Sequence, residues 1–222
     1  MPPIPFFADR ADAGDQLAAV LPDLPPRSTV VVALPRGGVP VAEQICKAHH
    51  LPLDLALVRK IGVPGQPEVA IGAIIDGVNP KVVINDHVAR RVGLSKAEIE
   101  DMGYAHLPEI ERRKALYFQG RQRPDLKDKT IVLVDDGVAT GATMRASLLG
   151  LRLSGVAGII VAVPTAPPDV LQSFEGSADQ IICLQLQSPF WSVGSAYRRF
   201  PQTSDAEVVQ TLQRCAAFDG AN

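Results

Sequence analysis

Little in this chain is in excess. Its formal charge is −2 over 222 residues, so no electrostatic argument favours nucleic acid or an anionic membrane as a partner. The three cysteines, Cys46, Cys183 and Cys215, lie far apart and form no C-x-x-C spacing. That argues against a disulfide framework or a zinc site, and reduced thiols in a helix, a strand and a helix are the expectation. The four histidines, His49, His50, His87 and His106, show no metal-ligand spacing. The longest apolar runs, around residues 29–35 and 159–164, are strand length and far short of a membrane span. Residues 1–10 have neither a basic segment nor a sustained apolar one, so no secretory leader is expected and a cytoplasmic location is. Neither G-x-x-x-x-G-K-[ST] nor a G-x-G-x-x-G after the first strand occurs, which sets aside P-loop kinases and dinucleotide-binding dehydrogenases.

What is present is an alternation of strand-like and helical runs, the pattern of an α/β fold with a doubly wound, mostly parallel sheet and helices on both faces. Strands are expected at 29–34, 53–58, 70–75, 81–85, 130–134, 158–163 and 180–184, and helices at 39–49, 141–154 and 167–175. A turn is expected at 76–80. The length suits a single domain. Residues 95–121 break the alternation. Ser95 and Glu98 have capping-box spacing and Pro108 should break or kink a helix, so two helical pieces are expected as an insertion. Such an arm packs on the body or on another subunit, which leaves a homodimer open, with residues 109–114 as a solvated face.

The most informative stretch is Ile131-Val-Leu-Val-Asp-Asp-Gly-Val-Ala-Thr-Gly-Ala-Thr-Met144. An apolar strand ends in two carboxylates, a small-residue turn follows, and then a helix begins. Backbone N–H groups of Ala139, Thr140, Gly141, Ala142 and Thr143 would lie unpaired at the helix N-terminus, where the macrodipole favours an anion. The hydroxyls of Thr140 and Thr143 can donate to phosphate oxygens, and Asp135 and Asp136 can accept from ribose hydroxyls. A phosphate cradle beside a diol clamp describes a ribose 5-phosphate site.

This segment resembles the signature of the type I phosphoribosyltransferases, without a gap from Val132 to Thr143. The resemblance implies binding of 5-phosphoribosyl 1-diphosphate (PRPP), with Asp135 and Asp136 on the ribose hydroxyls and residues 139–143 on the 5-phosphate. It also implies Mg²⁺ bridged through substrate oxygens rather than a direct protein metal site, and a small-molecule base as second substrate. Pro35-Arg36-Gly37-Gly38, between the first strand and first helix, resembles the family's diphosphate loop, whose Pro35-Arg36 or Arg36-Gly37 peptide is the place to look for a cis bond. Its glycines permit positive φ and close backbone approach, and its N–H groups an anion nest. Arg59 and Lys60, at the expected end of the second strand, supply cations for the leaving diphosphate, with Lys60 grouped with the two aspartates as catalytic. Residues 62–68, rich in glycine and proline, should resist regular structure and resemble the family's mobile loop; no role is assigned to Glu68. Residues 188–197 are aromatic for a chain that is only 5% aromatic. They resemble the hood of purine-type members, in which Phe190 or Trp191 would stack on a base or anchor the hood. Residues 1–27 and 185–222 would form that hood over the ligand edge. The activity implied is transfer of phosphoribosyl from PRPP to a base, purine-like by preference, with a non-catalytic PRPP or nucleotide sensor as the alternative.

Overall fold

The structure is a computed structural model and describes residues 6–76 and 80–218, with the side chains of Pro67 and Glu68 outside that description. Along the chain run α1 (Arg10–Val20), β1 (Thr29–Ala33), α2 (Gly38–His49), β2 (Leu53–Leu55), β3 (Val58–Val63), β4 (Gln66–Ile75), β5 (Lys81–Ile84) and α3 (Asp86–Val92). There follow α4 (Lys96–Tyr104), α5 (Leu107–Phe118), β6 (Thr130–Val134), α6 (Ala142–Leu153), β7 (Gly158–Ala166), α7 (Pro168–Gln172), β8 (Gln180–Leu186) and α8 (Asp205–Cys215). The turn expected at 76–80 lies largely outside the described residues.

Five strands form a parallel sheet in the order β2-β1-β6-β7-β8. Their period-two alternation sorts apolar side chains onto two covered faces. Val31, Ala33, Val132, Val134 and Ala162 face α1, α2, α5 and α8. Val30, Val32, Ile131, Leu133 and Val161 face α6 and α7. β1 and β6 are neighbours in register from Thr29 opposite Thr130 to Ala33 opposite Val134. The segments that leave these two strands therefore emerge side by side, at the carboxyl edge where ligands bind in such sheets.

Three departures from the sequence reading matter. The run at 53–58 is two strands: Ala56 N–H still bonds Ala33 O, but Val58 pairs with Ile75 in a separate antiparallel sheet, β3-β4-β5. Hydrophobic periodicity cannot register a change of partner. Residues 62–68 do take regular structure. Val63 pairs with Gln66 across Pro64 and Gly65, whose φ of 77° fits proline followed by glycine at the centre of a type II turn. The terminal segments divide between two clusters. Leu17 of α1 and Val208 and Leu212 of α8 join the main core, while Phe7, Ala13, Ala196 and Tyr197 make a small cluster of their own.

Between β5 and β6 the chain forms three helices. α3, capped by Asn85, was not anticipated. α4 starts on a complete Ser95–Glu98 capping box, and Pro108 sits in the first turn of α5, where it begins a helix rather than kinking one. Ile99 packs on the small sheet, and Ile110, Tyr117 and Phe118 pack on the main one. Among the described residues no helix is long and apolar enough to cross a membrane.

A buried ion cluster ties the two sheets together. Arg123 donates to both oxygens of Asp54 in β2 at 2.9 Å and to Asp76 after β4, and Lys114 Nζ of α5 lies 3.2 Å from Asp76. Burial raises the Asp54 carboxyl while Arg123 opposes the rise. Replacing Arg123 by Met should leave two buried carboxylates without their main cation and cost about 3–5 kcal/mol. Urea denaturation measures it; a loss below about 1 kcal/mol, the worth of a surface pair, would contradict this reading.

Candidate active site

After Val134 the chain runs through Asp135, Asp136 and Gly137 into a loop that becomes α6. Val138 N–H donates to Thr165 O of β7 at 2.9 Å and pins the loop's start. Its end is Gly141, the N-cap, at φ 73°. Only glycine serves there, because a Cβ would also lie 2.8 Å from Arg145 Nη1 and from Val170 Cγ1. The loop bounds a cavity of about 190 Å³ lined by Asp135, Ala139, Thr140, Gly141, Ala142 and Thr143. First-turn N–H groups have no intrahelical acceptor and sit at the positive end of the helix dipole, so the cavity suits an anion. Arg145 braces the loop from behind, donating to Thr140 O at 2.8 Å and to Ser173 Oγ at 2.9 Å. Sequence reasoning missed it.

The acidic pair divides. Asp135 lines the cavity. Asp136 accepts a hydrogen bond from Arg10 Nε at 2.8 Å, and that guanidinium also lies 3.8 Å from the Phe200 ring centre and donates to Pro201 O at 2.6 Å. The Tyr197 hydroxyl donates to the Asp136 backbone oxygen at 2.5 Å. Burial raises both carboxyls. The rise is larger at Asp135, where the charge of Asp136 adds to it, and Arg10 opposes it at Asp136. Arg10 and Tyr197 lie far from the motif in sequence, and no local pattern announces either.

The β1 loop closes over this pair. Its Pro35–Arg36 peptide is cis. Gly37 has φ −62°, so positive φ is not what glycine provides here. Close approach is: a Cβ on Gly37 would lie 2.1 Å from Asp136 Oδ2, and one on Gly38 would lie 2.6 Å from Val134 O. The expected anion nest is reduced, because Gly38 N–H donates to Leu34 O at 3.0 Å. Arg36 Nη1 lies 3.7 Å from Asp205 Oδ1, which accepts from the Tyr117 hydroxyl at 2.6 Å. Burial and that carboxylate push Tyr117 up to about 12.

Arg59 and Lys60 do not act as one unit, since they lie within β3 and neighbouring strand residues point to opposite faces. Arg59 meets Glu109 of α5 at 3.2 Å and lines a small crevice with Pro35, Arg113 and Thr143. Lys60 shares a face with its cross-strand partner Ala73, which lines a cleft against Ala142 and Arg145. Residues 109–114 are not simply a solvated face: Glu109 accepts from Arg59, Arg112 and Arg113, and Arg112 and Arg113 hold its carboxyl down at about 2. In the segment near the C-terminus, Trp191 is 63% exposed and Phe190 half-buried, and neither lines the 139–143 cavity. Val193 does, and it presses on the turn, 2.6 Å from where a Cβ on Gly137 would stand.

Residues 11–197 match the phosphoribosyl transferase domain family. The chain belongs to that family. Two curated relatives from Mycobacterium tuberculosis (strains CDC 1551 / Oshkosh and ATCC 25618 / H37Rv), each named "Putative phosphoribosyl transferase", are 46% identical over 210 residues, 94% of this chain and 47% of theirs. The chain thus spans about half the length of these curated relatives. The crystal structure of TT1426 from Thermus thermophilus matches with a TM-score of 0.85 at 34% identity, covering 94% of this chain and 98% of that one.

In this member of the phosphoribosyl transferase family the acidic pair stores a testable cost. A carboxyl whose folded pKa is raised weakens the fold as pH climbs from its unfolded to its folded pKa. Asp135→Asn should therefore stabilise the ligand-free protein above the ordinary carboxylate range and flatten its pH dependence there. Urea midpoints across mildly acidic to mildly alkaline pH test this, and a variant less stable than wild type at alkaline pH would refute it.

Proposed function

We propose that this chain transfers the 5-phosphoribosyl group of PRPP to a nitrogenous base, purine-like by preference, and releases diphosphate. The observation that carries this reading is the meeting of an anion cradle, residues 139–143, with Asp135 in one cavity, while the Gly37–Gly38 turn packs closely on the acidic pair. The 5-phosphate would accept from first-turn N–H groups and from the Thr140 and Thr143 hydroxyls. Asp135 would accept from a ribose hydroxyl, while Asp136, positioned by Arg10, adds negative charge beside the sugar. As a base nitrogen bonds to C1, the C1–O bond to diphosphate breaks and its electron pair leaves with diphosphate. Positive charge then builds on the sugar and negative charge on the leaving group. The carboxylate pair answers the first, and Arg36 and Arg59 the second, with Lys60 facing the α6 side. No side chain of the cavity is assigned as a general base.

The residues fit Mg²⁺. Asp135, raised by burial and by its neighbour's charge, is an oxygen donor whose ionised form a hard cation would favour. Among the described residues no three His, Cys, Asp or Glu side chains converge on a metal position, so the ion would lean on substrate oxygens and neutralise diphosphate. We assign the chain no nucleic-acid or membrane partner, on its balanced charge. The second reading, a PRPP or nucleotide sensor without turnover, is favoured by the engagement of Asp136 with Arg10.

Calorimetry with PRPP and Mg²⁺ and an assay of diphosphate release over a panel of bases separate the two. Turnover with a purine supports the enzyme, and binding without release on any base supports the sensor. Asp135→Asn with Asp136→Asn should weaken PRPP binding by about 1.5–3 kcal/mol for each charge-assisted hydrogen bond lost, and wild-type affinity in that double variant would sink the ribose assignment. If the β3–β4 hairpin is the lid that keeps water from the sugar cation, shortening it should spare ribose 5-phosphate affinity yet divert turnover from nucleotide to PRPP hydrolysis. Transfer at the wild-type rate by the shortened protein would remove that lid role.

A further inference from the structure

The inserted helix α5 brings an unbalanced charge to the edge of the site. Three guanidinium groups, Arg59 of β3 and Arg112 and Arg113 of α5, converge on the single carboxylate of Glu109, at 3.2, 2.8 and 2.7 Å. Arg36 stands nearby at 3.7 Å from Asp205. Four cations thus face two carboxylates in a chain whose total charge is −2. Such an excess of positive charge attracts an anion to this edge.

Its position says which anion. Arg59 and Arg113 line a crevice whose other walls include Pro35, at the start of the β1 loop, and Thr143, at the end of the 5-phosphate cradle. The crevice measures only about 30 Å³, room for about one water, and both of its arginines are held by Glu109. A polyanion enters by taking the place of the Glu109 carboxylate. Guanidinium forks match phosphate oxygens as well as carboxylate ones, so Arg59 and Arg113 can exchange one for the other without changing their geometry. Glu109 is suited to being displaced. Its side chain is 33% exposed, so water can receive it, and it lies in the first turn of α5, where the helix dipole favours negative charge even without the arginines.

We propose that α5 completes the diphosphate end of this site: Arg113, together with Arg59, grips the diphosphate, and Glu109 is a placeholder carboxylate that the diphosphate displaces. The assignment rests on the phosphoribosyl reading for the identity of the ligand, though not for its charge. It gives the insertion a binding role rather than a purely architectural one.

The test is calorimetry with two probes, inorganic diphosphate and ribose 5-phosphate, on wild type, Arg113→Gln, Glu109→Gln and Arg112→Gln. Arg113→Gln should weaken diphosphate binding about tenfold or more, the loss of one charge-assisted hydrogen bond, and leave ribose 5-phosphate affinity unchanged. Glu109→Gln should strengthen diphosphate binding, because it removes the competitor. Arg112, 56% exposed and outside the crevice, should matter less than Arg113. A cluster that only holds α5 in place predicts the opposite sign at Glu109, since any loosening weakens both probes. Diphosphate binding that falls in Glu109→Gln, or that survives Arg113→Gln at wild-type strength, overturns the proposal. If the phosphoribosyl reading fails instead, ribose 5-phosphate does not bind to wild type, while the opposed effects of the Arg113 and Glu109 variants on diphosphate persist.

Discussion

The ligand edge depends on one close approach, that of the Gly37–Gly38 turn to the Asp135–Asp136 pair. A Cβ on Gly37 would stand 2.1 Å from the Asp136 carboxylate, so nothing larger than glycine lets the two loops meet. That meeting follows from β1 and β6 being central neighbours in matched register. Shift either strand by one residue and the side chains meant for one core enter the other, while its loop moves off its partner. The apolar sorting that builds the two cores also sets the geometry of the site. From the same contact comes the electrostatic character of the edge, with two carboxylates held in a dry place and a helix N-terminus opposite them. Burying such a pair disfavours its charged form, and the chain offsets part of that with Arg10, brought in by the first helix.

The sequence disclosed most where the signal was local. β6 was legible to the residue because a five-residue apolar run, β-branched apart from Leu133, ends abruptly in charge, and the start of α6 was legible because a small-residue loop precedes it. The cysteines fall in α2, β8 and α8, in helix, strand and helix as their flanking patterns indicated, and Cys46 and Cys215 are buried. The Ser95–Glu98 box marks the start of α4 because capping chemistry is confined to four residues. What escaped was long-range. Nothing near residue 10 says that an arginine there will hold Asp136, or that Tyr197 will bond its backbone. Arg59 and Lys60 read as a pair in sequence, and one strand turns them to opposite faces.

The same limit explains the hairpin and the insertion. Glycine and proline between residues 62 and 68 look like breakers, but at the centre of a two-residue turn they are what a hairpin requires. The charged run at 109–114 has the composition of a solvated helix face, and much of it is exposed. Its meaning comes only from Arg59, about fifty residues away, arriving at the same carboxylate. Around the site, charge is organised by tertiary contact in the acidic pair with Arg10, in the Glu109 cluster, and in the Arg123 cluster that joins the sheets. The first two border the site, and the third holds in place the strands that frame it.

In the proposed function, residues 139–143 hold the 5-phosphate beside Asp135. The direct measurement is a crystal structure of the protein grown with ribose 5-phosphate. Phosphate density against the N–H groups of residues 139–143, with the ribose reaching Asp135, is the predicted result. Density for the sugar phosphate at another place only, with the 139–143 cavity filled by protein side chains, would contradict it.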